Sequence, residues 1–160
     1  MKLIPILLAL GMLAVSGWAE DAKPEPYLLE LVKSAETGDA NAQCALGSFH
    51  YFGDGVTTDY KEAVKWLTKS AEQGNAVAQD FLGYCYYNGR GVTKDYKEAV
   101  KWFTKSAEQG NADSQDALGA CYSEGNGVTQ DFKEAVMWWT KSAEQGNGSA
   151  KKELEKFKSK

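Results

Sequence analysis

Few residues in this chain are of a type and spacing that could support catalysis. Ser149 and Lys152 form a Ser-x-x-Lys pattern, as in penicillin-binding enzymes, but no Ser-Asp-Asn or Lys-Thr-Gly motif accompanies it. His50 is the only histidine, which removes most metal sites and catalytic triads. The recurring Gly-x-Gly sequences lack the third glycine and the preceding strand of a dinucleotide site. We therefore expect no catalytic residues, no bound metal and no cofactor, and we predict that the protein is not an enzyme.

Three cysteines are the remaining reactive side chains. Cys85 and Cys121 lie 36 residues apart, so they occupy the same place on neighbouring helices about 8–10 Å apart, beyond the ~7 Å limit of a disulfide. Cys44 lies five residues before the position that matches Cys85 and points elsewhere. We predict no intramolecular disulfide, core roles for Cys85 and Cys121, and Cys44 as the better candidate for a reactive or dimer-forming thiol.

These residues sit in a chain that repeats itself every 36 residues. Three units run 38–73, 74–109 and 110–145. A period of this length is typical of stacked two-helix modules, none of which buries its apolar face alone. The predicted fold is all-α, a right-handed α-solenoid of stacked two-helix repeats.

Each unit contains two helical patterns, which we name helix A and helix B. Helix A is predicted at about 40–52 of the first unit, and helix B at about 59–73, where Asp59 and Glu62 form an Asp-x-x-Glu variant of the capping box. A glycine recurs within helix A: Gly47, Gly83 and Gly119. Because glycine weakens a helix, its recurrence predicts a close approach of the paired helix.

The N-terminus has the pattern of a secretory signal. Residues 1–19 carry Lys2, an apolar stretch and small residues before Ala19. We expect cleavage after Ala19 and an exported protein, periplasmic or secreted, with no membrane insertion afterwards; retention of the segment as an anchor is the alternative. A short leader, 20–26, would follow.

Residues 27–160 are expected to form the solenoid. Besides the three units, it would include a half-unit at 27–37 and a C-terminal cap helix within 146–160. Without the signal, the chain would have 17 basic and 22 acidic residues, a net charge of about −5. An acidic chain without a basic stripe argues against nucleic acid as a partner.

The repeated motif resembles the Sel-1-like repeats of the tetratricopeptide superfamily. The shared pattern is Ala-x-(Ala/Ser)-x-x-x-Leu-Gly-x-x-Tyr-x-x-Gly-x-Gly-Val-x-x-Asp, then Ala-x-x-Trp and Ala-x-x-Gly, with His50 replacing the first tyrosine. The resemblance implies a helical scaffold for protein–protein contacts. The family that the chain resembles also includes a cysteine-rich branch, some of whose members bind penicillin or hydrolyse β-lactams. The paired cysteines of that branch would fall at Ala71 and Gln79.

By analogy with tetratricopeptide repeats, the varied helix A positions would line a concave groove that binds a protein or peptide. The candidate contact residues are Asn41, Cys44, Ser48, Tyr51, Phe52, Val77, Asp80, Tyr84, Tyr87, Asn88, Asp113, Asp116, Ser123 and Glu124. This groove would be aromatic in its first half and acidic in its second, which suits an apolar anchor with a basic flank. The alternative is a solvated face, with binding at an edge or through the loops.

Other recurrent residues are predicted to be structural. The tryptophans recur at one helix B position or next to it: Trp66, Trp102, Trp138 and Trp139. We expect them to pack between helices, with a carbohydrate platform as the alternative. His50 is expected to be half-buried and hydrogen-bonded. Two other functions remain open for the whole chain: a cell-wall or β-lactam hydrolase of the cysteine-rich type, and a structural spacer in an envelope assembly.

Overall fold

The structure, a computed structural model, describes residues 26–54 and 56–158, which form eight α-helices and, within those ranges, no strand. The expected signal segment and most of the leader lie outside the described residues. The helices are α1 (Pro26–Glu36), α2 (Ala40–Phe52), α3 (Tyr60–Glu72), α4 (Ala76–Asn88), α5 (Tyr96–Glu108), α6 (Ala112–Glu124), α7 (Phe132–Glu144) and α8 (Gly148–Lys158). Thus α2, α4 and α6 are the helices A, and α3, α5 and α7 are the helices B.

The helices stack in the order of the sequence. Each packs on the helices before and after it, and contacts also join α2 with α4 and α6 with α8. Apolar side chains form a series of hydrophobic clusters along the stack, in which successive units contribute to one cluster. The protein is therefore the all-α solenoid that its period predicts.

The predicted helix starts are confirmed, with one difference in the capping box. The Asp59 carboxylate accepts hydrogen bonds from the N–H groups of Lys61 at 2.9 Å and Glu62 at 3.0 Å. The reciprocal bond of a capping box would use the Asp59 N–H, which donates instead to the carbonyl of His50 at 2.9 Å. The Glu62 carboxylate instead forms a salt bridge with the Lys65 Nζ atom at 2.7 Å. The aspartate thus both caps helix B and fixes its start against helix A.

The glycines within helix A lie where helix B comes closest, as predicted. A Cβ atom at Gly83 would be 2.5 Å from the ring of Phe103, and one at Gly119 would be 2.5 Å from the indole of Trp139. The side chain of Leu67 occupies the same place against Gly47, at 2.7 Å. Glycine therefore sets the distance between the two helices of each unit.

A buried glutamine connects each unit to the one before it. Gln79 is 5% or less exposed, its Nε2 donates to the carbonyl of Ala71 at 3.0 Å, and its Oε1 accepts from Gln109 at 2.7 Å. Ala71 and Gln79 are the positions at which the resemblance places the cysteine pair of the cysteine-rich branch. Here a hydrogen bond from side chain to backbone connects the same two positions. The same arrangement recurs at Gln43 and Gln115.

The tryptophans pack between helices, as predicted. Trp66 and Trp139 are buried. Trp102 packs against the hydrophobic cluster between units 38–73 and 74–109, which we call the first junction. Trp138 packs against the cluster between units 74–109 and 110–145, the second junction. A lysine one turn further along covers each recurrent indole, with Nζ to ring-centre distances of 4.2 Å for Lys69, 4.0 Å for Lys105 and 4.3 Å for Lys141. These lysines therefore make cation–π contacts with the recurrent tryptophans.

Gly83→Ala is expected to lower the free energy of unfolding by about 1–3 kcal/mol, because the new methyl group must displace the Phe103 ring. Urea unfolding followed by circular dichroism measures this. The matched control is Gly148→Ala at the start of α8, where nothing lies within 4 Å of a Cβ atom and a change below about 1 kcal/mol is expected. Equal losses in the two variants would contradict the role given to Gly83.

Candidate interaction surface on helices A

The predicted contact residues all lie on α2, α4 and α6 but differ in accessibility. Six are exposed: Asn41, Phe52, Val77, Asn88, Asp113 and Glu124. Five are half-buried: Ser48, Tyr84, Tyr87, Asp116 and Ser123. Three are buried: Cys44, Tyr51 and Asp80. Accessible positions therefore remain in all three units.

Burial corrects the expectation of an accessible side chain at Cys44, Tyr51 and Asp80. All three lie between a helix A and its neighbours: Cys44 and Tyr51 belong to the hydrophobic cluster of the first junction, and Asp80 accepts a hydrogen bond from the Ser114 hydroxyl of the next unit. Burial raises the pKa of the Cys44 thiol, and the hydrogen bond with Ser48 opposes this rise; that Cys44 is the more reactive of the three thiols stays a prediction. Cys85 and Cys121 are fully buried, as predicted, and burial raises the pKa of each to about 12.

The first half of the surface is aromatic. Phe52 is 65% exposed, and its ring centre lies 5.1 Å from that of Tyr51 and 5.6 Å from that of Phe81. Tyr51 and Phe81 are 5.4 Å apart. Phe81, which is not among the predicted contact residues, is half-buried and supports the exposed ring of Phe52. Both of its aromatic neighbours lie on the preceding unit, and aromatic residues on two successive helices A were the signal for this role.

A cation of the chain itself, the exposed side chain of Arg90, completes this aromatic group. The guanidinium of Arg90 lies 5.3 Å from the centre of the Tyr51 ring and 5.4 Å from that of Tyr60. It also donates to the Tyr51 hydroxyl at 2.6 Å. Arg90 comes from the loop after α4, so this contact joins the first two units.

The second half of the surface contains a pocket of about 160 Å³. Tyr84 and Tyr87 form one wall, Ala117 and Ala120 the other, and Phe103 and Asp116 complete the lining. The ring centre of Tyr84 lies 5.0 Å from that of Phe103, and Tyr87 lies 4.9 Å from Tyr96. Both tyrosines thus contribute to packing and also present part of each ring to the pocket.

Polar groups at the edge of this pocket are connected to one another. The hydroxyl of Tyr87 donates to the Glu124 carboxylate at 3.3 Å and accepts from the amide of Asn126 at 3.1 Å. Asn126 also donates to Glu124 at 2.6 Å. The exposed carboxylate of Glu124 is therefore held beside the aromatic wall.

Carboxylates make the second half acidic, as predicted. Burial raises the pKa of Asp80 to about 6; the Ser114 hydrogen bond opposes this rise, and nearby Asp113 adds to it. Burial also raises the pKa of Asp116. Burial, and then the nearby carboxylates, raise the pKa of the Tyr84 hydroxyl. This part of the surface favours a cation over an anion.

His50 is more deeply buried than predicted, at 4% exposure. Burial lowers its pKa, against the opposing effect of Glu62 and Asp59. Its Nδ1 atom has no hydrogen-bond partner among the described residues. The ring makes a hydrogen bond with the backbone of Thr57 in the loop between α2 and α3, which is the hydrogen-bonded role expected for it.

A stack of paired helices that presents varied side chains on one helix of each pair defines a repeat scaffold of the α-solenoid class. A profile of the Sel1 repeat matches residues 40–75, 76–111 and 112–147. The chain therefore belongs to the Sel1 repeat family, whose members are scaffolds that typically mediate protein–protein interactions. Comparison with proteins of curated function gave no match.

Solved structures support this assignment. A Sel1 repeat protein from Oxalobacter formigenes is 39% identical, with a TM-score of 0.74 over 82% of this chain and 99% of that one. The protein c5321, a protective antigen of uropathogenic Escherichia coli strains, is 32% identical, with a TM-score of 0.79 over 96% of this chain. This chain spans only 35% of c5321. Cysteine rich protein B from Helicobacter pylori shares the fold, at 24% identity and a TM-score of 0.62, over 80% of this chain and 97% of that one.

Asp80→Asn is expected to stabilise the protein at pH 7.5 by about 1–3 kcal/mol, because it removes a buried charge and keeps an acceptor for Ser114. The folded-state pKa of Asp80, about 6, lies above the usual 3.8. The native protein therefore loses stability as pH rises between these values, and the difference between the two proteins should vanish near pH 3.5.

Urea midpoints between pH 3.5 and 7.5 measure this effect. The control is Asp54→Asn, the same substitution in the exposed loop after α2, where no buried charge is removed and no gain of stability at pH 7.5 is expected. A loss of stability in Asp80→Asn at every pH would show that the carboxylate stabilises the fold.

Proposed function

We propose that the protein is an exported scaffold that binds another protein or a peptide through the concave surface formed by its helices A. The observation that carries this proposal is the exposure of large apolar side chains on helices A of successive units, at 65% for Phe52 and 48% for Val77. Phe52 is also in ring contact with the half-buried Phe81 of the next unit, and neighbouring exposed apolar residues on a folded protein favour an interaction site.

The difference between the two helices of each unit supports the same proposal. Helix B is nearly constant, and residues 59–73 and 95–109 differ only at Leu67 and Phe103. Both of these side chains are buried against a helix A glycine. The accessible helix A positions vary from one unit to the next, which suits contact with a partner of irregular sequence.

The partner is proposed to be a protein or peptide with apolar and basic groups, because the second half of the surface is acidic. The chain's net charge of −4 disfavours nucleic acid. None of the helices within the described residues is long and apolar enough to cross a membrane.

Capture from the exported fraction of the native cells tests the surface. Protein carrying both Phe52→Ser and Val77→Ser should capture at least tenfold less of a partner than the native protein does. Met137→Ser, which removes an exposed apolar side chain from helix B (38% exposed), is the matched control and should retain the partner.

Thermal melting of the variants shows whether each is folded, since Phe52 also contacts Phe81. Equal retention by the two variants would move binding away from helices A. It would leave the spacer function as the better explanation.

Export is tested separately. The proposed signal, 1–19, and leader, 20–26, predict that the protein recovered outside the cytoplasm begins at Glu20 after cleavage at Ala19. Mass spectrometry of the fractionated protein measures its N-terminus. Recovery of the intact chain from the cytoplasm alone would contradict export without affecting the proposed binding surface.

A further inference from the structure

The pocket on the helix A surface lies where Phe81, a side chain that fills the preceding junction, is reduced to alanine. Phe81 packs against Tyr51 at the first junction, at 5.4 Å. One repeat later, Tyr87 stands in place of Tyr51, and Ala117 in place of Phe81. Ala120 likewise replaces Tyr84. The second junction therefore keeps the aromatic wall and lacks the ring that covers it in the first.

The dimensions of the pocket suit the missing group. Its volume of about 160 Å³ is similar to the roughly 150 Å³ of an apolar cavity that accepts benzene. Tyr84 and Tyr87 are half-buried, and their uncovered ring surfaces can contact an entering ring edge-to-face. The arrangement of Phe81 on Tyr51 shows that this fold accommodates an aromatic ring at this position.

Charge at the edge of the pocket is reversed between the two junctions. The first junction has the neutral Asn88 and the cation Arg90, which stacks on Tyr51. At the second, Glu124 replaces Asn88, and Asn126 replaces Arg90. The second junction has therefore lost the cation and gained a carboxylate beside the same aromatic wall.

We propose that this pocket is a socket for an aromatic side chain of a partner peptide, and that Glu124 binds a lysine or arginine next to it in that peptide. The proposal rests on the proposed function and identifies the chemistry of the partner. The first junction contains an internal version of the same arrangement, in which Phe81 supplies the ring and Arg90 the cation. At the second junction the partner supplies both groups.

The first test is a titration of the purified protein with N-acetyl-Phe-Arg-amide, followed by ¹H–¹⁵N NMR. Saturable shifts are expected at the amides of residues 117–124. N-acetyl-Gly-Arg-amide, which lacks the ring, and N-acetyl-Phe-Glu-amide, which reverses the charge, should each bind at least tenfold more weakly. Shifts that do not saturate below 10 mM, or equal binding of the three peptides, would overturn the proposal.

The second test fills the socket from within. Ala117→Phe restores the residue type of the preceding unit and should weaken binding of N-acetyl-Phe-Arg-amide at least tenfold. Ala117→Ser, the matched control, leaves the pocket open and should bind within about twofold of the native protein. Undiminished binding by a folded Ala117→Phe protein would overturn the proposal. If that variant does not fold, Ala117→Leu fills part of the same space with a smaller side chain and is expected to weaken binding in the same direction.

Glu124→Gln separates the ring from the cation. It should weaken binding of N-acetyl-Phe-Arg-amide about three- to tenfold and leave N-acetyl-Phe-Gly-amide unchanged, because glutamine keeps the hydrogen-bond acceptor and loses the charge. Equal effects on both peptides would refute the role given to the carboxylate.

The capture experiment distinguishes this proposal from the proposed function. A partner lost from the Phe52/Val77 variant but retained by Ala117→Phe would overturn the socket and support the scaffold function. A partner retained by the Phe52/Val77 variant would count against the wider surface, while saturable binding of N-acetyl-Phe-Arg-amide blocked by Ala117→Phe would still support the socket.

Discussion

The buried glutamine at each junction is the contact on which the rest of the stack depends. A buried amide has to satisfy both its donor and its acceptor. Gln79 does so only when the carbonyl of Ala71 lies 3.0 Å from its nitrogen and Gln109 lies 2.7 Å from its oxygen. The first partner lies near the end of one unit, and the second is the last residue of the next. A shift of either helix B along the stack would leave a polar group buried without a partner, so the glutamine fixes the alignment of successive units.

This fixed alignment separates the framework from its binding chemistry. Because helix B, the glutamine and the helix A glycine repeat, every junction has the same backbone geometry. Side chains on helix A can then change between units with little effect on how the units stack. The exchange of Phe81 for Ala117 opens a pocket in this way, and Phe103 beneath it still packs against Gly83.

Periodic features could be predicted from the sequence, whereas contacts between units could not. The repeat, the caps at Asp59 and its counterparts, and the close approach at Gly83 follow from local rules that act within one unit. The burial of Cys44, Tyr51 and Asp80 depends on the following unit, since Phe81 covers Tyr51 and Ser114 binds Asp80. A pattern confined to one helix does not contain that information. A comparison of equivalent helix A positions in successive units would have predicted the pocket.

The near-identity of residues 59–73 and 95–109 also affects how such a protein can change over evolution. A duplicated copy of 74–109 would bring its own glutamine, glycine and capping aspartate, and would present to each neighbour the surface that the neighbour already accepts. One recombination event in the gene would then lengthen the stack, adding a helix A about 8–10 Å from the next. Point substitutions could afterwards make the new copy diverge from the original. The reach of the scaffold and the identity of its ligand are thus inherited as separate traits.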